Sequence, residues 1–225
     1  MPPPFPKAVV FDLDGTLVDS APDIARALNA ALVPRGAKPF DAQSVVGLIG
    51  GGAKTAIERA LAMSGLTADP SAKRALLANF MVAYRDVSAE GRGLYPGALE
   101  LLTELNDRGV GCGLCTNKAE DVTAIALKAL GIAGQFRAVV GASERLPKKP
   151  HPAMLQAVLA GLDVAPGDAV MIGDSPADAA IGRAAGTAVV LVDYGYTHTP
   201  VTELGADAVV SRLSDVPAVL ARLRR

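Results

Sequence analysis

The chain has 225 residues, half of them hydrophobic, with 22 Lys and Arg against 23 Asp and Glu. That length suits one large domain, or a core carrying a smaller insertion. A net charge of −1 argues against a general attraction to nucleic acid or acidic lipid, and no run approaches the roughly 20 apolar residues that span a bilayer.

In chain order, the proline-rich start from Met1 to Lys7 lacks a basic segment followed by an apolar one. No secretion signal is expected, and the expected location is the cytoplasm. A short apolar run at 8–11 predicts the first strand, and it runs into Phe11-Asp12-Leu13-Asp14-Gly15-Thr16-Leu17. From about Asp19 to Arg92 the patterns are helical. Ile24, Ala27, Leu28, Ala31 and Leu32 make one stripe, Ile57 and Leu61 another, and Leu76, Leu77, Phe80, Met81 and Tyr84 a third. A Gly50-Gly51-Gly52 turn lies between the first two. So long a helical connection between strands is unusual. It predicts a helical cap domain over 19–92, inserted into a core made of 1–18 and 93–225; the alternative is a helical face with no gating role.

Beyond Arg92, apolar runs at 110–115, 138–140, 169–172, 188–192 and 208–210 predict further strands. Between and after them run helical stripes through Ala98, Leu101, Leu102 and Leu105, through Val122, Ile125, Ala126 and Leu130, and through Met154, Leu155, Val158, Leu159 and Leu162. A final stripe holds Val216, Val219, Leu220 and Leu223. Nearly continuous apolar strands suit a parallel sheet covered on both faces. The alternation predicts a doubly wound, Rossmann-like α/β core. Cys112 and Cys115 fall on one such strand, three apart and so on opposite faces. They are read as small buried hydrophobes, not as a redox pair.

The chemistry gathers at strand ends, where open parallel sheets bind ligands. Asp12 and Asp14 are two apart, so in extended backbone they lean to the same side, and Gly15 permits a tight turn. Two converging carboxylates suggest divided labour, one ionised as nucleophile and the other carrying a proton. A nucleophilic carboxylate repels a phosphate dianion by about 4 kcal/mol per charge pair at 4 Å and an effective dielectric of 20. Cations are therefore required. The second acidic cluster, Asp174-Ser175-Pro176-Ala177-Asp178, also follows an apolar run. Asp174 is placed to share a hard cation with Asp12, and all-oxygen ligation suits Mg²⁺. Asp178 either supports that ion's shell or orients a lysine. Lys149, flanked by Lys148 and Pro150, is the candidate cation, and His151 between two prolines is read as structural. Thr116 and Asn117, at a strand end ahead of a helix expected near Lys118, suit phosphate oxygens.

In this order the four stations resemble the haloacid dehalogenase superfamily: an acidic Asp12-Leu-Asp14-Gly-Thr16 start, Thr116, Lys149, and Asp174-Ser-x-x-Asp178. The resemblance implies that Asp12 attacks phosphorus and that Asp14 acts as general acid, then as base. It implies Mg²⁺ on the side chains of Asp12 and Asp174 and on the carbonyl of Asp14. Thr116 and Asn117 would hold the phosphoryl group, Lys149 would stabilise it, and Gly15, Thr16, Ser175 and Asp178 would support the site. Asp14-Gly-Thr-Leu-Val-Asp19-Ser20, Thr116-Asn117-Lys118, Lys149-Pro-His-Pro152 and Asp193-Tyr194-Gly195-Tyr196 are similar to stretches of phosphoglycolate phosphatases. That likeness implies a small phosphorylated metabolite as partner; the charge and the short apolar runs lead to no expectation of nucleic acid or membrane, and a monomer or homodimer is expected. Sugar-phosphate phosphatases, a phosphomutase of the β-phosphoglucomutase type and a non-catalytic relative stay open at this point. A dehalogenase is disfavoured by the presence of Asp14.

Overall fold

The computed structural model describes residues 5–223; of the proline-rich start, residues 1–4 lie outside the described residues. Six strands form one parallel sheet among those residues: β1 (Ala8–Phe11), β2 (Gly111–Ala119), β3 (Ala138–Ala142), β4 (Ala169–Gly173), β5 (Ala188–Val192) and β6 (Ala208–Val210). Their order is β3-β2-β1-β4-β5-β6. The order reverses between β1 and β4, so the crevice beyond their carboxyl ends is the switch point of a doubly wound sheet.

The helices are α1 (Ala21–Leu32), α2 (Ala42–Val45), α3 (Ala53–Met63), α4 (Pro70–Ser88), α5 (Ala98–Asp107), α6 (Glu120–Ala129), α7 (Ala153–Leu162), α8 (Pro176–Ala185) and α9 (Val216–Leu220). Strand alternation sends Val9, Phe11, Leu114 and Ile172 to one face, where they pack against Leu101, Leu102 and Leu105 of α5 and Leu220 of α9. Ala8, Val10 and Met171 face the other way, onto Leu155, Val158 and Leu159 of α7 and Ile181 of α8. Cys112 joins the first layer and Cys115 the second, as the strand period requires. Burial pushes both thiols up to about 12, so they stay protonated. Leu223 lies beyond α9 but still packs on the first layer. No helix of the described residues is long and apolar enough to cross a membrane.

Between β1 and β2 the chain is helical from α1 to α4, with its own apolar cluster around Leu28, Ile57, Leu76 and Phe80. The chain leaves and rejoins the sheet side by side. Val18 and Leu94 form an antiparallel bridge, Asp19 N–H donates to Gly93 at 2.7 Å, and Tyr95 N–H donates to Leu17 at 2.9 Å.

One expectation needs correction. The apolar pattern stops the second strand at Cys115 and starts a helix near Lys118, yet β2 runs on to Ala119 and α6 begins at Glu120. The register shifts between Cys115 and Ala119, an irregularity of the kind found beside active sites. The added strand residues Thr116, Asn117 and Lys118 are buried through polar bonds, so hydrophobicity did not mark them.

Candidate active site

The first acidic station hangs from the core. Leu13 and Leu17 are fully buried, and the N–H groups of Leu17 and Val18 both reach the Leu13 carbonyl at 3.0 Å. Gly15 takes φ +83°, the left-handed region that glycine enters freely. A side chain there is blocked as well, since a Cβ would lie 2.5 Å from Asp174 Oδ2. The turn therefore anchors two leucines inward and leaves Asp12 and Asp14 at the sheet edge. Buried Thr16 donates its hydroxyl to Asp174 Oδ1 at 3.4 Å, and its carbonyl accepts from Tyr194 at 2.7 Å.

At the end of β4, Ser175 opens α8 with a capping box. Its N–H and hydroxyl donate to Asp178 Oδ2 at 3.1 and 2.5 Å. The other oxygen, Oδ1, accepts from Lys149 Nζ at 2.7 Å, and Lys149 Nζ also lies 2.8 Å from Asp12 Oδ1. Of the two roles open to Asp178, its contacts are those of orienting the lysine. Burial opposes the charge of Lys149, but Asp12 and Asp178 outweigh it and its ammonium is held firmly protonated. Burial pushes Asp12 up to about 6, with Lys149 pulling the other way. Asp174 rises well above the ordinary carboxylate range, first through burial and then through Asp178 and Asp12.

Carboxylate oxygens of Asp12, Asp174 and Asp178 lie within 4.8 Å of one another. Gly195, like Gly15, approaches Asp174 too closely for a side chain, so backbone moulds the space around that carboxylate. Hard oxygen donors whose charge is raised in cost by burial and mutual repulsion fit a metal cation. Asp14 stands outside that group. Its Oδ1 pairs with Lys118 Nζ at 3.1 Å.

Thr116 is buried and its hydroxyl accepts from Lys118 N–H at 3.2 Å. Asn117 does something the sequence did not announce. Its side-chain amide donates to Gly50 at 2.9 Å and to the Lys149 carbonyl at 3.2 Å, and its Oδ1 accepts Lys149 N–H at 3.0 Å. One amide thus clamps the lysine's backbone to the glycine turn of the helical stretch. His151 is exposed and accepts from Ala153 N–H at 3.2 Å, a local structural role.

Three residues escaped sequence reasoning. Lys118 and Tyr196 were visible only as members of stretches similar to those of phosphoglycolate phosphatases, with no role attached, and Tyr84 only as part of an apolar stripe. Lys118 Nζ donates to the Tyr84 hydroxyl and sits over its ring, 4.1 Å from the centroid. Tyr196 N–H donates to Asp174 Oδ2 at 2.7 Å, while its hydroxyl donates to Asp19 at 2.6 Å and accepts from Ala21 N–H at 3.0 Å. These side chains and the catalytic candidates line a cavity of about 500 Å³ between sheet edge and helical stretch. That volume lies in the ordinary range for small-molecule sites.

A family model described as haloacid dehalogenase-like hydrolase matches residues 9–192. The chain is 45% identical over 208 residues to a phosphoglycolate phosphatase of Rhodospirillum rubrum, covering 91% of this chain and 86% of that protein. It is 38% identical over 209 residues to a phosphoglycolate phosphatase of Caulobacter vibrioides, covering 93% and 88%. Among solved structures, a predicted phosphoglycolate phosphatase of Haemophilus somnus is similar, with a TM-score of 0.87, 28% identity, and coverage of 95% of this chain and 97% of that one. A likeness that spans the sheet, the helical stretch and all four stations together is one of descent: the chain belongs to the haloacid dehalogenase-like hydrolases.

Proposed function

We propose that the protein is a Mg²⁺-dependent phosphatase of small phosphate monoesters, with 2-phosphoglycolate as substrate. The observation that carries this reading is the pairing of Asp12 with Lys149 beside Asp174, at the floor of a cavity roofed by helices. In this reading Asp12 attacks phosphorus while Asp14 protonates the leaving alcohol oxygen. Asp14 then takes a proton from water, which attacks the aspartyl phosphate and releases inorganic phosphate. Lys149 neutralises part of the phosphoryl charge, and the Thr116 hydroxyl with neighbouring N–H groups holds its oxygens. Asp12, Asp174 and the Asp14 carbonyl would hold Mg²⁺, which when bound would supply further positive charge against the phosphoryl group. Residues 19–92 act as a cap on a core of 1–18 and 93–225, excluding bulk water during turnover.

The names of the similar phosphatases support the choice of substrate. The partner required is a small phosphorylated metabolite met in the cytoplasm. Phosphate release from a panel of monoesters tests the proposal. 2-Phosphoglycolate is expected among the preferred compounds, with turnover lost on chelation, and an isomerised product in place of free phosphate would make the enzyme a mutase. Asp12→Asn is expected to lower kcat by at least about 10³-fold, since the nucleophile has no substitute. Unchanged turnover in that variant would defeat the mechanism.

A further inference from the structure

Lys118 is given no part in the chemistry above, yet its side chain is only 3% exposed. Burying an ammonium is costly unless it is paired and hydrogen-bonded. Its partners here are Asp14 Oδ1 at 3.1 Å and the Tyr84 hydroxyl, with the Tyr84 ring face beneath it. Lysine has no acceptor, so toward the phenol it donates. Tyr84 is buried on α4 and packs on Phe80, with ring centroids 5.2 Å apart. Burial keeps its phenol protonated, and it is therefore a fixed neutral brace. Without an anchor, the Asp14 carboxyl at the edge of a 500 Å³ cavity would be free to sample its side-chain rotamers.

We propose that Lys118 is a positioning residue that fixes the Asp14 carboxyl in the cavity, braced from the helical stretch by Tyr84. The assignment rests on the reading of Asp14 as the group that protonates the leaving oxygen. Such a proton matters greatly when the leaving alcohol is strongly basic and little when it is a stabilised phenolate. Loss of Lys118 therefore has a selective signature that a general loss of structure or of phosphate binding does not share.

The test compares kcat/KM for 2-phosphoglycolate, an alkyl phosphate, with kcat/KM for p-nitrophenyl phosphate. This parameter reports steps only up to departure of the alcohol, which leaves out hydrolysis of the aspartyl phosphate. Lys118→Met is expected to lose about 100-fold on the alkyl ester and less than about fivefold on the aryl ester, by the usual scale of general acid catalysis. Tyr84→Phe is expected to lose about tenfold with the same selectivity, and it carries the test if Lys118→Met does not fold. Equal losses on both esters, no loss on either, or a rise in KM alone overturns the assignment. Asp14→Asn runs beside them. If it is selective for the alkyl ester, the proton role stands and the Lys118 result is judged alone. If it is not, the proton role falls and takes the assignment with it.

Discussion

At the end of β1, Asp12 and Asp14 face two different ammonium groups, those of Lys149 and Lys118. At the end of β4, Asp178 is closed around Lys149, Ser175 and the backbone, while Asp174 accepts from the Thr16 hydroxyl and the Tyr196 N–H. The same residue type at the same kind of strand end is thus used in three ways. Asp12 and Asp14 are balanced by cations and still border the cavity. Asp178 is saturated and fully buried, serving as scaffold. Asp174 is buried among neutral donors, a setting that suits it to a metal ion.

The largest effect is expected from breaking the scaffold. Asp178→Ala removes one of the two carboxylates on a buried lysine and half of a capping box, at a cost of about 3 kcal/mol in denaturant unfolding. Its activity is expected to fall with its stability, whereas Asp12→Asn is expected to unfold at nearly the wild-type midpoint. If Asp178→Ala unfolds like the wild type, the division between scaffold and reacting carboxylates is wrong.

Next comes the ion. Mg²⁺ at about 100 times its dissociation constant, binding the folded form alone, is expected to add about 2.7 kcal/mol to stability. Thermal unfolding of the metal-free protein, with and without Mg²⁺, measures this directly. Asp174→Ala is expected to abolish the shift, and a shift that persists there would place the ion elsewhere.

The smallest effect sharpens the neutral side of the comparison. Tyr196→Phe deletes the hydroxyl that joins Asp19 and Ala21 but keeps the backbone N–H on Asp174. A loss of about 1 kcal/mol in unfolding is expected, with the Mg²⁺-induced shift unchanged. A lost shift would mean that the phenol, and not only the backbone, shapes the ion's place.

The sheet was legible because its strands are short apolar runs, and five of the six stand within a residue or two of where those runs lie. The acidic stations were legible because they sit at strand ends in short, recognisable spacings. What could not be read was polar burial. Thr116, Asn117 and Lys118 carry no hydrophobic signal, so β2 looked finished before it was. Tyr84 fits an apolar stripe by its spacing, and that spacing is silent about what its hydroxyl meets 34 residues away. Asn117 looked like a phosphate ligand, and only the tertiary structure brings Gly50 and Lys149 to its amide.

That amide has an asymmetry built into it. Two of its bonds hold the backbone of Lys149 and one holds the Gly50 carbonyl. Should the glycine turn swing outward, Asn117 forfeits a single contact and the lysine keeps both of its own. If residues 19–92 act as the cap proposed above, a lift of the glycine turn would leave the Lys149 backbone held by both of those bonds, so each reaction cycle would begin with that part of the apparatus already in place.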